Sequence, residues 1–292
     1  MIIRQALILA DKKLTKAKIA SAALDAEVLL SYVTNRPKEF LYAHNEKALT
    51  TAQSKKFFTL IKRRSKSEPV AYLTHNKEFY GLNFYVDKNV LTPHPETELL
   101  VEEVLSFCAR NLSSIKKIRL IDVATGSGCI AIALKKNLGR RLEVIASDIS
   151  PQALQVAKEN ARLNRVSINF VASDLLSKLI SGKKMPVFDI IVANLPYVDK
   201  KEIHSLPLAS RKTIAFEPPV ALYGGWHGLK LYHKLFQQIN RLTPLPRLLA
   251  CEISDKHPKE IKKIAQNYFP RASINIKKDL GGLPRIIIIE NK

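Results

Sequence analysis

The tetrapeptide Asn194-Leu195-Pro196-Tyr197 stands at the end of the apolar run Phe188–Ala193. Its residue types can do one definite piece of chemistry. The Asn194 side-chain oxygen and the Leu195 backbone carbonyl can together accept two hydrogen bonds from a single planar NH2 group. Pro196 fixes φ and stiffens the loop. Tyr197 offers a ring face against which a flat amide or an adenine can lie, and which tolerates a nearby cation. Such a site would grip an NH2-bearing acceptor. The same four residues also read as a strand followed by a plain proline turn, so their neighbours have to decide.

A second set of residues suits a nucleoside. Thr125-Gly126-Ser127-Gly128 follows the strand-like Ile118–Ala124, and Asp148 closes the run Leu142–Asp148, 20 residues beyond Gly128. A glycine turn lets backbone approach a ligand closely, and a strand-end carboxylate at that distance is placed to hold a ribose diol. Asp174, after a third strand spanning 167–171, can accept a hydrogen bond from an adenine amino group. Alone, the glycine turn is equally a tight βα connection. In register with the two carboxylates it points to a nucleoside-bearing cofactor lying across the carboxyl ends of the first three strands.

These residues need a scaffold, and from Ile118 onward strands alternate with helices, which gives a mostly parallel α/β sheet covered on both faces. Ser150 is an N-cap and Pro151 a first helical residue for a helix reaching Asn164. Helices over 130–134, 229–242 and 257–268 and strands over 247–253, 273–278 and 285–290 complete the domain, residues 99–292. Residues 1–75 are helical and lack glycine, with apolar faces at Ile3, Leu7 and Ala10, at Ala22, Ala26, Leu29, Leu30 and Val33, and at Phe57, Phe58, Leu60 and Ile61. Between the two domains, residues 76–98 read as a hairpin around Gly81-Leu82-Asn83 and a proline-stiffened loop, either a linker or a lid and floor for the site.

The chain has 292 residues, 46% of them hydrophobic, enough for a large α/β domain and a smaller one. Its net charge of +21 suits an anionic partner such as RNA, although the charge is spread along the whole sequence. Three distant cysteines and seven scattered histidines form no metal-ligand spacing, so no metal is expected. No apolar run reaches the roughly 18 residues of a membrane span. With no signal-peptide pattern at Met1-Ile-Ile-Arg-Gln, a cytoplasmic protein is expected.

Four blocks give the chain a close resemblance to a known family: Pro93-His-Pro-Glu-Thr-Glu98, Asp122-Val-Ala-Thr-Gly-Ser-Gly-Cys-Ile-Ala131, Asn194-Leu-Pro-Tyr197, and the stretch from Glu217 to Leu229. It resembles the class I S-adenosylmethionine-dependent methyltransferases, and among them the HemK/PrmC family of protein-glutamine N5-methyltransferases acting on peptide chain release factors. The resemblance implies a Rossmann-like seven-stranded methyltransferase domain, and an N-terminal helical bundle that recognises the release factor. Four positions depart from the family pattern. Leu195 stands where proline is usual, His94 replaces an arginine, Ala124 the first glycine of the cofactor turn, and His227 an aspartate.

The resemblance also implies roles. S-adenosylmethionine is the cofactor, its methionine end held at Thr125, Gly126 and Gly128, its ammonium oriented by Asp122, its ribose by Asp148 and its adenine by Asp174. Asn194, Leu195, Pro196 and Tyr197 hold the glutamine amide. An amide acceptor also needs water kept out, for which Tyr197 and Phe79 or Phe84 of the hairpin are candidates to pack on the glutamine side chain, and Trp226, in a glycine-rich loop, is either a lining residue of the substrate channel or a structural one. Asn-X-Pro-Tyr fits N6-adenine methyltransferases of RNA or DNA equally well. The helical start and the 217–229 block favour glutamine, in a release factor or, as a variant, a ribosomal protein. A catalytically silent cofactor-binding module is a further alternative, opposed by the intact Asn194, Pro196 and Tyr197.

Overall fold

The structure, a computed structural model, describes residues 1–182, 185–199 and 208–291, with the side chains of residues 208–210 and 226 outside that description. The Trp226 expectation therefore falls outside the described residues. The chain divides into two compact units, one built from residues 1–76 with 204–217, the other from 77–203 with 218–292.

The first unit packs helices α1 (Ile3–Lys16), α2 (Ala22–Thr34), α3 (Lys38–Ala43), α4 (Thr51–Arg64) and α5 (Val70–Thr74). Ala6, Ala10, Leu14, Leu29, Leu30, Phe57 and Ile61 form its core, each less than 2% exposed. Leu7, Val33 and Phe58 are only partly buried at its edge. A capping box starts α4, where the Gln53 amide donates to Thr50 Oγ1 (3.1 Å) and the Thr50 amide to Gln53 Oε1 (3.0 Å). Asp25 and Arg64 form a largely buried ion pair between α2 and α4, 2.7 Å apart.

In the second unit, β1 (Lys77–Phe79) and β2 (Leu82–Phe84) form the hairpin, turning at Tyr80-Gly81 with φ of 52° and 72°. The turn thus lies one step before the expected Gly81-Leu82-Asn83. Two successive left-handed residues match the twist of a tight hairpin, and a glycine in the second place makes that cheap. Helix α6 (Glu98–Asn111) follows, then β3 (Ile118–Val123), α7 (Cys129–Leu138), β4 (Leu142–Asp148), α8 (Pro151–Leu163), β5 (Asn169–Ala172), β6 (Ile190–Ala193), β7 (Leu248–Glu252), β8 (Ser273–Lys278) and β9 (Pro284–Glu290). Helices Lys230–Ile239 and Pro258–Tyr268 flank β7 in sequence. Ser150 Oγ accepts from the Ala153 amide at 3.1 Å, the N-cap expected for α8.

The seven strands lie in the order β5-β4-β3-β6-β7-β9-β8, with β9 antiparallel to both its neighbours. Along β3, β6 and β7 successive side chains alternate between two buried faces. Leu120, Val192 and Ala250 pack towards α6 and α7, whereas Ile121, Ile191 and Leu249 pack towards Tyr232, Phe236 and Phe269. Burial on both faces explains the continuous apolar runs. The central strand β3 has β4 on one side and β6 on the other, and α/β sheets bind ligands at the carboxyl ends of strands where the winding reverses in this way.

Candidate active site

A cleft of about 290 Å³ opens over the carboxyl ends of β3, β4 and β6. Ala124, Thr125, Gly126, Asp148, Asp174 and Asn194 all line it, so residues spread over 70 positions meet at one cavity. Residues 89–94 and Thr97 supply another wall, which places the proline-stiffened loop at the site rather than in a linker.

On the cofactor side, both carboxylate oxygens of Asp148 are held. Oδ2 accepts from the Gly126 amide and Oδ1 from the Ser150 amide, each at 2.9 Å. Burial pushes its pKa up, and these backbone donors oppose that rise. Each carboxylate oxygen keeps lone pairs for a diol. Gly126 has φ of 55° and nothing within 4 Å of where a Cβ would stand, so its bare backbone faces open space in the cleft. Ala124 adopts φ of 59° beside it, a left-handed conformation in a residue that carries a Cβ.

Other expected cofactor residues are placed differently. Gly128 does not line the cleft. A Cβ there would stand 3.1 Å from Ile132 and 3.2 Å from Ala157, so that glycine serves the packing of α7 on α8. Asp122 is fully buried beneath the turn. Its Oδ2 accepts from the Thr125 hydroxyl (2.6 Å) and the Ala131 amide (3.3 Å), while Oδ1 has no partner. Burial pushes its pKa up to about 7. A buried carboxylate oxygen without a partner fits a cationic group or a water held above the turn. Asp174 does line the cleft, but Lys234 Nζ already pairs with its Oδ2.

Asn194 sits where β6 ends, between strands β3 and β7. Its Nδ2 donates to Glu252 Oε2 at 2.9 Å and to Thr97 Oγ1 at 3.2 Å. The same carboxylate accepts from the Thr97 hydroxyl (2.6 Å) and, on Oε1, from the Tyr197 hydroxyl (3.1 Å). Glu252 is 1% exposed, and burial raises its pKa against the pull of these hydroxyls. With Nδ2 so engaged, the face that Asn194 can offer a ligand is its oxygen. Parallel pairing of Ala193 with Cys251 brings Asn194 and Glu252 out side by side.

Leu195 is 1% exposed and does not line the cleft; its side chain packs in the core, so only its backbone, which is indifferent to the proline-to-leucine departure, is left to serve a site. Tyr197 does not line the cleft. Its hydroxyl is tied to Glu252 and its ring leans on the core and on a small recess with His227 and His257. Phe79 and Phe84 correct the expectation more sharply. They are 1% and 0% exposed, stacked edge to face at 6.1 Å within the core that includes Leu100 and Val104. Period-two alternation in so short a hairpin points both rings inward, so neither can touch a substrate. Of the remaining departures from the family pattern, His94 lines the cleft, whereas His227 stands outside it, half exposed, with Nδ1 3.9 Å from Asp199.

The block from Glu217 to Leu229 has a mechanical role. The Val198 amide donates to the Leu222 carbonyl (2.9 Å) and the Gly224 amide to the Val198 carbonyl (3.2 Å), which lays this loop along Pro196-Tyr197. A Cβ on Gly224 would stand 2.4 Å from the Pro196 carbonyl oxygen. Only glycine permits so close an approach. Asn160 does similar work under the turn, its fully buried Nδ2 donating to the Ser127 and Tyr85 carbonyls, each at 2.9 Å. Thr97, Asn160, Gly224 and Glu252 were not singled out from the sequence as site residues. Glu252 alone left a legible signal, a carboxylate closing a buried strand.

A seven-stranded sheet with an antiparallel last strand, a glycine turn after its central strand, a carboxylate closing the next and an Asn-X-Pro-Tyr loop beside them together define a class I S-adenosylmethionine-dependent methyltransferase. Comparison with known proteins narrows this. Residues 5–74 match the PrmC N-terminal domain, and residues 97–211 the methyltransferase small domain. The release factor glutamine methyltransferases of Koribacter versatilis and of Clostridium acetobutylicum are each 36% identical to the chain, over 99% of its length and 98% of theirs. Among solved structures, the N-terminal domain of human METTL16 in complex with SAH shares the fold, with a TM-score of 0.52 at 15% identity over 89% of this chain and 93% of that one. The chain belongs to the release factor glutamine methyltransferase family.

Proposed function

We propose that the protein methylates N5 of the glutamine side chain in the Gly-Gly-Gln motif of peptide chain release factors. The observation that carries the mechanism is the commitment of Asn194 Nδ2 to Glu252 and Thr97, which turns Oδ1 to the acceptor. Bound S-adenosylmethionine supplies the electrophilic methyl group. Its ribose fits the Asp148 carboxylate and its adenine the Asp174 carboxylate, with the bare backbone of Gly126 beside it.

An amide nitrogen is a poor nucleophile because its lone pair is delocalised, so the enzyme has to hold it at attack distance and in line with the methyl group. Hydrogen bonds from the substrate NH2 to Asn194 Oδ1 and the Leu195 carbonyl orient it. They also stabilise the positive charge that grows on nitrogen as the new bond forms. The bond from sulfur to the methyl carbon would break as the bond to nitrogen forms, and the methylated nitrogen, strongly acidic while it carries the positive charge, would lose its surplus proton to water, so no strong base is required beside it. Thr97 and Tyr197 take no part in proton transfer; they keep the loop and Asn194 in place through Glu252. The helical unit, which matches the PrmC N-terminal domain, is the part we assign to recognition of the release factor. No helix among the described residues is long and apolar enough to cross a membrane, and we place the enzyme in the cytoplasm, where termination occurs. Digestion of a release factor after reaction, with the added methyl located by mass spectrometry, tests this reading. It requires the methyl on the glutamine side-chain nitrogen of Gly-Gly-Gln.

A further inference from the structure

Glu252 does not line the cleft and is 1% exposed, yet its carboxylate is held by several donors. Three side chains from two segments donate to it: Thr97 from the loop before α6, and Asn194 and Tyr197 from the loop after β6. The Tyr232 hydroxyl additionally donates to its backbone carbonyl at 2.6 Å, pinning the strand end from the other side. Ionised, such a carboxylate is an acceptor only. All three side chains present hydrogen to it, and for Asn194 this turns the Nδ2 end of the amide inward.

An asparagine at a binding site is otherwise ambiguous. Rotated by half a turn, it would present NH2 outward and suit a carboxylate or a carbonyl instead of an NH2 group. We propose that Glu252 is the positioning residue that sets the polarity of the acceptor site, holding the Asn194 amide so that the enzyme recognises an NH2-bearing side chain and rejects its carboxylate counterpart. Thr97 reinforces this, because its own hydrogen is spent on Glu252 and its oxygen is left to accept from Asn194 Nδ2. The inference rests on the glutamine reading above and deepens it. It assigns the discrimination of glutamine from glutamate to a buried residue that touches neither.

The test compares the full-length enzyme with E252L and E252Q. Leucine fills similar space without an acceptor. The amide of E252Q retains an oxygen for Asn194 and can offer its NH2 to the Tyr197 oxygen. Four readouts are taken: kcat and KM on a release factor, the Kd of S-adenosylhomocysteine, the thermal midpoint, and inhibition by Gly-Gly-Glu and Gly-Gly-Ala forms of the factor. For E252L the expected result is a fall in kcat of about 100-fold, the scale set by losing orientation of a reacting group. Its KM and cofactor Kd should stay within about threefold of wild type, the range left by an intact fold. The Gly-Gly-Glu factor is expected to inhibit wild type more weakly than the Gly-Gly-Ala form, and E252L more strongly, because the freed amide can turn its NH2 to a carboxylate. E252Q should recover at least about tenfold of the lost kcat, as expected when one hydrogen bond of the pair is restored. Unchanged kcat in E252L would overturn the proposal. So would losses in E252L and E252Q that run in parallel with cofactor binding and thermal midpoint, since a purely structural residue would behave that way. If wild type itself fails to methylate Gly-Gly-Gln, the functional reading fails, an outcome separate from either.

Discussion

A Cβ on Gly228 would stand 2.0 Å from the carbonyl oxygen of Tyr197, and Gly228 adopts φ of 69°. The 224–228 loop and the Asn194–Tyr197 loop are thus in backbone contact, and neither can shift without the other. Gly228→Ala should push Tyr197 and the Leu195 carbonyl off position by a fraction of an ångström or more. We expect kcat to fall by roughly 100-fold, the cost of misplacing a reacting group by about 1 Å. Isothermal titration with S-adenosylhomocysteine should show binding retained, since Gly126 and Asp148 lie elsewhere.

Asp148→Asn should weaken cofactor binding. The amide can accept only one of the two backbone hydrogen bonds now made by Gly126 and Ser150, and offers the diol a poorer acceptor. Hydrogen bonds to a charged group are worth about 1.5–3 kcal/mol, so Kd should rise roughly 10- to 100-fold by calorimetry. A Kd within a factor of two would remove Asp148 from the site.

Phe84→Ala separates a core residue from a substrate contact. Buried against Phe79 and Leu100, the ring should cost about 3–5 kcal/mol of stability when deleted, read from urea unfolding. KM for the release factor, measured where the variant is folded, should not change.

The buried Asp122 gives the cofactor-free protein a pH dependence. Its folded pKa, about 7, lies above the ordinary 3.8, so between those values the native state binds the extra proton. Stability from this group is therefore full below about pH 4 and is lost as pH rises towards and through 7. A shift of this size corresponds to at most ~4 kcal/mol. Unfolding free energy measured from pH 4 to 8 should fall more steeply for wild type than for Asp122→Asn, and equal slopes would contradict the assignment.

Much of the scaffold is legible in the sequence because burial on two faces forces continuous apolar strands and because caps are local. Strand β4 falls on its expected bounds, and Ser150 caps α8 as its type and the following proline indicate. Asp148 and Gly126 are legible for the same reason, since their roles follow from spacing along one βα unit. Long-range partnerships are not. The bond between Asn194 and Glu252 joins residues 58 apart and exists because β6 and β7 are neighbours in the sheet, which depends on how the strands are ordered. Lys234 reaches Asp174 across 60 positions in the same way. Phe79 and Phe84 fail as substrate contacts because the direction of a short hairpin's side chains is set by what packs behind it.

The central claim is that a protein glutamine, oriented by Asn194, receives the methyl group. Its most direct test is transfer of label from S-adenosylmethionine to a purified release factor, beside the Gly-Gly-Gln→Gly-Gly-Ala factor, total tRNA and rRNA, and the Asn194→Ala enzyme. Label on the wild-type factor alone, lost with either substitution, is the predicted result. Label on RNA with none on protein would contradict it and make the NH2 group that Asn194 holds an adenine's.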